Sequence, residues 1–191
     1  MPGPTFLESE RVTLHPLESD DTAFVHRVSN DERVWQTGFT PFPSSRGDIE
    51  SFVESTANGE DRVDLLVAVD GDRAGVVSLT DVDYRRRGAE LGYWFAPEFH
   101  GEGYASEAAR RVVRYAFETL DLARIEAHVD AFNDPSIGLL ESVGFTREGT
   151  RRAVRVHRGE RVDMHTYGLL ASEWEREEGE SERADGGRGG E

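Results

Sequence analysis

Glu90-Leu91-Gly92-Tyr93-Trp94-Phe95-Ala96-Pro97-Glu98-Phe99-His100-Gly101-Glu102-Gly103-Tyr104-Ala105-Ser106-Glu107-Ala108 is the stretch on which the reading of this 191-residue chain turns. Its first part is aromatic, has no helical spacing and runs into Pro97, as a strand does at its end. Its second part opens a helix. From residue 103 to 119, Ala105, Ala108, Ala109, Val112, Val113, Ala116 and Phe117 recur at intervals of three and four, an amphipathic and alanine-rich stripe that can lie close against a sheet. At the junction, Gly101 and Gly103 permit a bend in which several main-chain N–H groups converge at the positive end of the helix, a cradle for phosphate or pyrophosphate. A Gly-x-Gly before a helix serves equally well as a tight packing turn. The preceding strand and the absence of a third glycine rule out the dinucleotide fingerprint, and the absence of Gly-Lys-Ser or Gly-Lys-Thr rules out a Walker loop.

Toward the N-terminus the pattern is that of an antiparallel meander. Val63 to Val69 and Ala74 to Thr80 flank the turn Asp70-Gly71-Asp72, and Ala89 to Phe95 follows the charged turn Arg85-Arg86-Arg87-Gly88. A first strand spans Arg11 to Leu17, a helix is capped by Asp20 or Asp21, and a second helix opens at Ser44 or Ser45 with Ile49, Phe52 and Val53 on one face. Between these helices, Trp35, Phe39 and Phe42 form an irregular aromatic segment that either lines a pocket or closes a core. Toward the C-terminus, Arg124 to Val129 reads as a strand, and Asn133-Asp134-Pro135 opens a short helix that Gly144 ends. Phe145 to Val156 and Arg161 to Leu170 form a last hairpin. The expected fold is α+β: a mixed, mainly antiparallel sheet flanked by helices. One domain over residues 1–174 is expected, and 175–191 read as a charged, glycine-rich, disordered tail.

Acidic residues number 38 against 22 basic ones, giving a formal charge of −16, and every basic residue is arginine. Such an excess repels polyphosphate backbones and anionic membranes, so neither nucleic acid nor membrane is an expected partner. It resembles a surface adapted to high salt, although an acidic protein from an arginine-rich proteome would look the same. No signal peptide or apolar run of membrane-spanning length is visible, and a cytoplasmic location is expected. Without cysteine there is no thiolate catalysis, and His15, His128, His157 and His165 lack metal-ligand spacing.

The stretch from Glu90 to Ala108 resembles the acetyl-CoA motif of the GNAT superfamily of N-acetyltransferases, most closely the branch of the ribosomal-protein alanine N-acetyltransferases. The resemblance continues through Arg124-Ile125-Glu126-Ala127, Asn133, Ser136, Leu140 and Gly144-Phe145 and covers about Arg11 to Trp174. It implies a splay between the fourth and fifth strands into which the thioester of acetyl-CoA enters. The backbone of His100, Gly101, Glu102, Gly103, Tyr104 and Ala105 would hold the pyrophosphate. The strand Leu91, Gly92, Tyr93, Trp94, Phe95 would pair with the pantetheine arm, and Asn133 would contact the cofactor side or simply cap its helix. His100 departs from the family pattern at a position often filled by Gln or Arg, and Glu102 stands where many relatives carry a basic residue near the phosphates. Leu140 departs as well, standing where many members carry the tyrosine that protonates the departing thiolate.

The implied reaction is direct acetyl transfer to an amine. Glu90 is the first candidate for the base or water-orienting residue, with a hairpin-edge carboxylate as its plainer role, and Ser136 is a weaker candidate for the proton relay to coenzyme A, with helix capping as its plainer role. Trp35, Phe39, Phe42, Tyr84, Tyr167 and Asp163 are candidates for acceptor binding through shape, cation–π contact and charge; Trp35 could instead close the core and Asp163 fix the last hairpin. The expected acceptor is a protein N-terminal amine, with small amines or a noncatalytic acyl-CoA sensor as alternatives, in a monomer or homodimer.

Overall fold

The computed structural model describes residues 1–37, 42–56 and 61–174. Phe39 and the 175–191 segment lie outside them. Eight strands form one sheet in the order β1-β2-β3-β4-β5-β6-β8-β7: β1 Leu7–Glu8, β2 Thr13–Pro16, β3 Val63–Val69, β4 Asp72–Asp83, β5 Gly88–Phe95, β6 Arg124–Asp130, β7 Thr146–His157 and β8 Glu160–Leu170. Every neighbouring pair is antiparallel except β5 and β6. The helices are α1 Thr22–Ser29, α2 Glu32–Trp35, α3 Arg46–Thr56, α4 Tyr104–Glu118 and α5 Asp134–Val143.

Two apolar clusters sandwich the sheet. On one face the α4 stripe of Ala108, Ala109, Val112, Val113, Ala116 and Phe117 packs with Leu139, Leu140 and Val143 of α5 on the odd-numbered residues of β5, Ala89, Leu91 and Phe95. On the other, Phe24, Val25 and Val28 of α1 and Ile49 and Val53 of α3 pack on Leu66 and Val76, with Trp94 of β5 at their edge. Because successive side chains of a strand alternate faces, Glu90, Gly92 and Trp94 all face the α1–α3 side. β3 is buried almost without interruption, as a strand covered on both faces must be.

The feature that positions the site is where β5 and β6 stop pairing. Only Gly88–Arg124, Ala89–Ile125 and Glu90–Glu126 are in register; β5 then continues against β4, and β6 against β8. The sheet therefore opens as a wedge between Leu91–Phe95 and Ala127–Asp130. This is the anticipated splay, between β5 and β6 in chain order because the two-residue β1 precedes the strand expected first.

Two local expectations change. Asp21 does not cap α1, because its buried carboxylate accepts from Arg73 Nε at 2.7 Å and from Glu18 N at 2.9 Å, and a short 3-10 turn over Ser19–Asp21 leads into the helix. The last hairpin turns more tightly than expected, through Arg158 and Gly159 alone, both at positive φ as a two-residue turn requires.

Candidate active site

The bend before α4 has the geometry of an anion cradle. Gly101 and Gly103 have φ of 83° and 82°, and Gly103 caps α4 without any side-chain partner. Glu107 N is the first main-chain donor of the helix to find an acceptor, Gly103 O at 3.1 Å. The N–H groups of Tyr104, Ala105 and Ser106 are thus left at the helix mouth, where the macrodipole favours an anion.

A cation that the local sequence lacks arrives from far away. Arg11 donates from its main chain to Glu107 Oε1 at 2.7 Å, from Nε to Glu107 Oε2 at 2.8 Å and from Nη1 to Glu102 O at 2.9 Å, with its guanidinium 4.9 Å from the Tyr104 ring centroid. Burial works to raise the Glu107 carboxyl, but the hydrogen bonds from Arg11 and Ser9 together with the Arg11 charge outweigh it and hold Glu107 below the usual carboxylate range. Arg11 Nη2 also lies 3.4 Å from where a Cβ on Gly103 would sit, so the cradle has an arginine at its lip. Glu102 is exposed, and the ring of His100 is turned back, its Nε2 donating to Phe95 O at 2.9 Å. Arg11→Ala is expected to raise the KM for acetyl-CoA about tenfold while kcat stays within about twofold, the loss of charge-assisted hydrogen bonds that shape a binding loop. Steady-state kinetics with acetyl-CoA varied checks this, and an unchanged KM would detach Arg11 from the cradle.

Along the wedge, the main chain of β5 has unspent hydrogen-bonding capacity. Ala96 N donates to Ala74 O, and Arg87 O accepts from Ala123 N on the β6 side. By the alternation of an extended strand, the N–H and C=O groups of Leu91, Tyr93 and Phe95 are therefore directed to the β6 side, where β6 has parted. Such an edge pairs with an extended ligand that carries amides.

On the helix side of the wedge, Tyr93 reaches α5. Its hydroxyl lies 2.6 Å from Ser136 Oγ and 3.3 Å from Ser136 O, and burial pushes the phenol up to about 12 in spite of the bond to serine. Asn133 caps α5, accepting from Ser136 N at 3.3 Å, and donates from Nδ2 to Thr37 O at 2.8 Å, tying the start of α5 to the segment after α2. Leu140 is 1% exposed and packs in the core.

On the α1–α3 side, Glu90 stands at the apex of the wedge with a side chain 40% exposed, its Oε2 3.9 Å from His128 Nε2. Glu126, beside it in register, is engaged by Arg124, which also holds Glu148. His128 and Asp130 follow Glu126 at spacing two and share its face. His128 Nδ1 is buried with no hydrogen-bond partner. The Asp130 carboxylate is 5% exposed and 3.4 Å from Arg155 Nε, and burial raises its pKa against the opposing pull of Arg155 and His157.

The acceptor candidates separate. Trp35 ends α2, half-buried, and Phe42 is exposed. Tyr84 lines a shallow solvent-open depression of about 520 Å³ with Asp61, Asp81 and Asp83, next to the end of β5 that is still paired to β6. Asp163 Oδ1 accepts from Ala153 N at 2.8 Å, where β7 bulges and Ala153 has φ of 55°, so this carboxylate fixes the hairpin. Tyr167 is fully buried on the α5 face, donating to Glu141 Oε1 at 3.0 Å. Tyr84, Asp163 and Tyr167 are thus not gathered with Glu90. Arg11, His128 and Asp130 were not singled out from sequence, although the spacing of Glu126, His128 and Asp130 carried the signal for two of them. Among the described residues, no group of three or more His, Asp or Glu is placed to hold a metal ion, and no helix is long and apolar enough to cross a membrane.

Comparison with known proteins bears on this arrangement. Residues 11–146 match the family model described as an acetyltransferase (GNAT) domain. The chain is 39% identical over 179 residues to Bacillus subtilis YdaF, a protein provisionally named as a ribosomal N-acetyltransferase, covering 88% of this chain and 96% of that one. It is 29% identical over 138 residues to spermidine N(1)-acetyltransferase of Escherichia coli K12, covering 72% and 74%. The crystal structure of spermidine N-acetyltransferase from Vibrio cholerae in complex with CoA and spermine superposes with a TM-score of 0.82 at 26% identity, over 87% of this chain and 99% of that one.

Proposed function

Because this chain belongs to the GNAT acetyltransferase family and is an acetyl-CoA-dependent N-acetyltransferase, we propose that its acceptor is the N-terminal amino group of a protein or peptide. The wedge, with the cradle at one end and Glu90 and His128 beside it, supports the acetyl transfer, and the 39% identity to a protein named as a ribosomal N-acetyltransferase is the observation that carries the acceptor.

The residues fit the cosubstrate. The main chain of His100 to Ala105 and the Arg11 guanidinium would hold its pyrophosphate, and the free edge of Leu91, Tyr93 and Phe95 its amide-bearing arm. Acetyl-CoA supplies an acyl carbon activated by a thiolate leaving group. The Tyr93 N–H, aimed into the wedge, is placed to polarise the acyl carbonyl. Glu90, directly or through a water, removes the amine proton as the C–N bond forms, and Ser136 returns a proton on the sulfur side. Direct transfer within a ternary complex suits a chain without cysteine.

The proton economy favours an α-amine. Its ordinary pKa is about 8, against about 10.4 for an alkyl ammonium such as lysine, so near neutrality far more of it is already uncharged. A single, partly exposed glutamate therefore has less to do. The spermidine acetyltransferase relatives and the partly exposed Glu90 carboxylate favour a second reading, a polyamine acceptor attracted as a cation.

A panel of peptides with free N-termini, spermidine and an aminoglycoside, incubated with acetyl-CoA and read by mass, tests this. Acetyl on peptide α-amines with a kcat/KM at least about tenfold above the polyamine is expected, in line with the pKa gap. Efficient spermidine turnover with no peptide product would replace the first acceptor by the second, and coenzyme A binding without turnover of any amine would leave an acyl-CoA sensor.

A further inference from the structure

The side of the wedge that faces α4 and α5 contains one polar side-chain contact from β5 to α5 among the described residues, Tyr93 to Ser136. It sits where a thioester would end if the pyrophosphate lay at Gly101–Gly103 and the arm ran back along Phe95, Tyr93 and Leu91. A serine hydroxyl alone is a poor acid toward a thiolate, since the alkoxide left behind is far more basic than the sulfur it protonates. A serine whose oxygen accepts a hydrogen bond from a second donor is a stronger donor toward the thiolate and need not become that alkoxide. Leu140, buried in apolar surroundings, has no proton to give.

The geometry points to Tyr93 as the positioning residue behind Ser136: the β5 phenol orients and polarises the serine hydroxyl that stabilises the departing thiolate, a role Leu140 cannot fill. This rests on the acetyl-transfer reading above and on Ser136 facing the sulfur. The accounting closes. As the C–N bond forms and the C–S bond breaks, the C–S electron pair leaves with sulfur. Sulfur leaves as a thiolate that accepts a hydrogen bond from the Ser136 hydroxyl, Ser136 Oγ accepts one from Tyr93 along the 2.6 Å contact, and Ser136 then relays a proton from water to the sulfur while Tyr93 keeps its own. The amine proton departs separately on the Glu90 side.

The contact permits the required direction of donation. Tyr93 has one proton and two acceptors within reach, Ser136 Oγ and the more distant Ser136 O at 3.3 Å. When it donates to Oγ, the serine proton is free to point into the wedge. Burial also keeps the phenol protonated across the neutral range, so its hydroxyl is always available to donate to the serine.

Two readouts test the pair in Tyr93→Phe, Ser136→Ala and Ser136→Thr. Tyr93→Phe should lower kcat about tenfold or more with the KM for acetyl-CoA within about twofold, Ser136→Ala should lower it at least as much, and Ser136→Thr should retain most activity. The second readout needs no acceptor. The thiol of bound coenzyme A, titrated by its thiolate absorbance, should ionise about one pH unit below free coenzyme A in the parent protein, because hydrogen bonds to the charged form favour it. That lowering should vanish in Ser136→Ala and shrink in Tyr93→Phe, which a purely packing role for the ring would not produce. If Ser136→Ala loses both properties and Tyr93→Phe keeps both, the inference falls and acetyl transfer stands. If Ser136→Ala keeps both, the serine relay falls with it. If no amine is acetylated at all, the thiol titration alone decides: lowering lost in the variants supports the pair, and an unshifted thiol overturns it.

Discussion

Glu90→Gln is expected to reduce kcat by about a hundredfold or more at pH 7 while leaving coenzyme A affinity within about twofold, the usual magnitude for removing a general base. The substitution keeps the volume and hydrogen-bonding reach of the side chain and removes only its ability to accept a proton. Glu90 lies at the last paired position of β5 and β6, on the face opposite Tyr93 and away from α4, so the cradle and the free strand edge are untouched. Because its side chain is 40% exposed, the loss should not be a folding effect. Titration calorimetry with coenzyme A and initial rates against a reactive amine measure the two quantities. A second signature follows from the mechanism: raising the pH, which supplies uncharged amine from solution, should recover part of the lost rate in the variant. Turnover equal to the parent at neutral pH would return Glu90 to the role of an edge carboxylate and leave His128 as the group to examine.

Gly103→Val is the complementary experiment, aimed at binding. Gly103 has φ of 82°, a conformation that a β-branched residue adopts only with strain of about 1–3 kcal/mol. The nearest atom to an added Cβ is the mobile end of Arg11 at 3.4 Å, so space is not the obstacle and the backbone is. The bend can relieve the strain only by rotating peptide groups, and those peptides direct the N–H groups that open α4. Acetyl-CoA should therefore bind about 5- to 140-fold more weakly, the strain converted at 1.4 kcal/mol per tenfold. Circular dichroism and a melting curve separate this from unfolding, since α4 is secured along its length by buried residues that the change does not touch. Retained affinity would mean that phosphate is bound elsewhere.

How much of this was legible in sequence depends on how far apart the partners lie. The α4 stripe is a local pattern, and its expected span of 103–119 differs from the helix by one residue at each end. The glycines at 101 and 103 carry their own backbone signature, and the positive φ angles follow from it. Arg11, by contrast, meets Glu107 across 96 positions of chain, and no local pattern announces that pairing. Tyr93 and Ser136 are 43 apart, so each was read by itself, one for its main chain and the other for its hydroxyl. Tyr84 and Tyr167 were weighed as acceptor aromatics on residue type alone. Strand parity could have corrected Tyr167, which shares its face with Leu169 and stands opposite Ala127, both core residues. His128 and Asp130 need the reverse correction: parity with Glu126 puts both on the wedge face, a signal that metal-ligand spacing does not carry.

Apart from the His128–Glu90 contact, the salt bridges and cation–π contacts among the described residues, from Arg11–Glu107 to Arg124–Glu148 and Arg110 over Trp174, use guanidinium, because the 191 residues include no lysine. A thioester at working concentration slowly acylates any alkyl amine that loses its proton, erasing the charge. Guanidinium, with a pKa above about 12, offers no such lone pair. No lysine side chain of the protein therefore competes with the acceptor, and none of these guanidinium ion pairs wears away as the enzyme turns over.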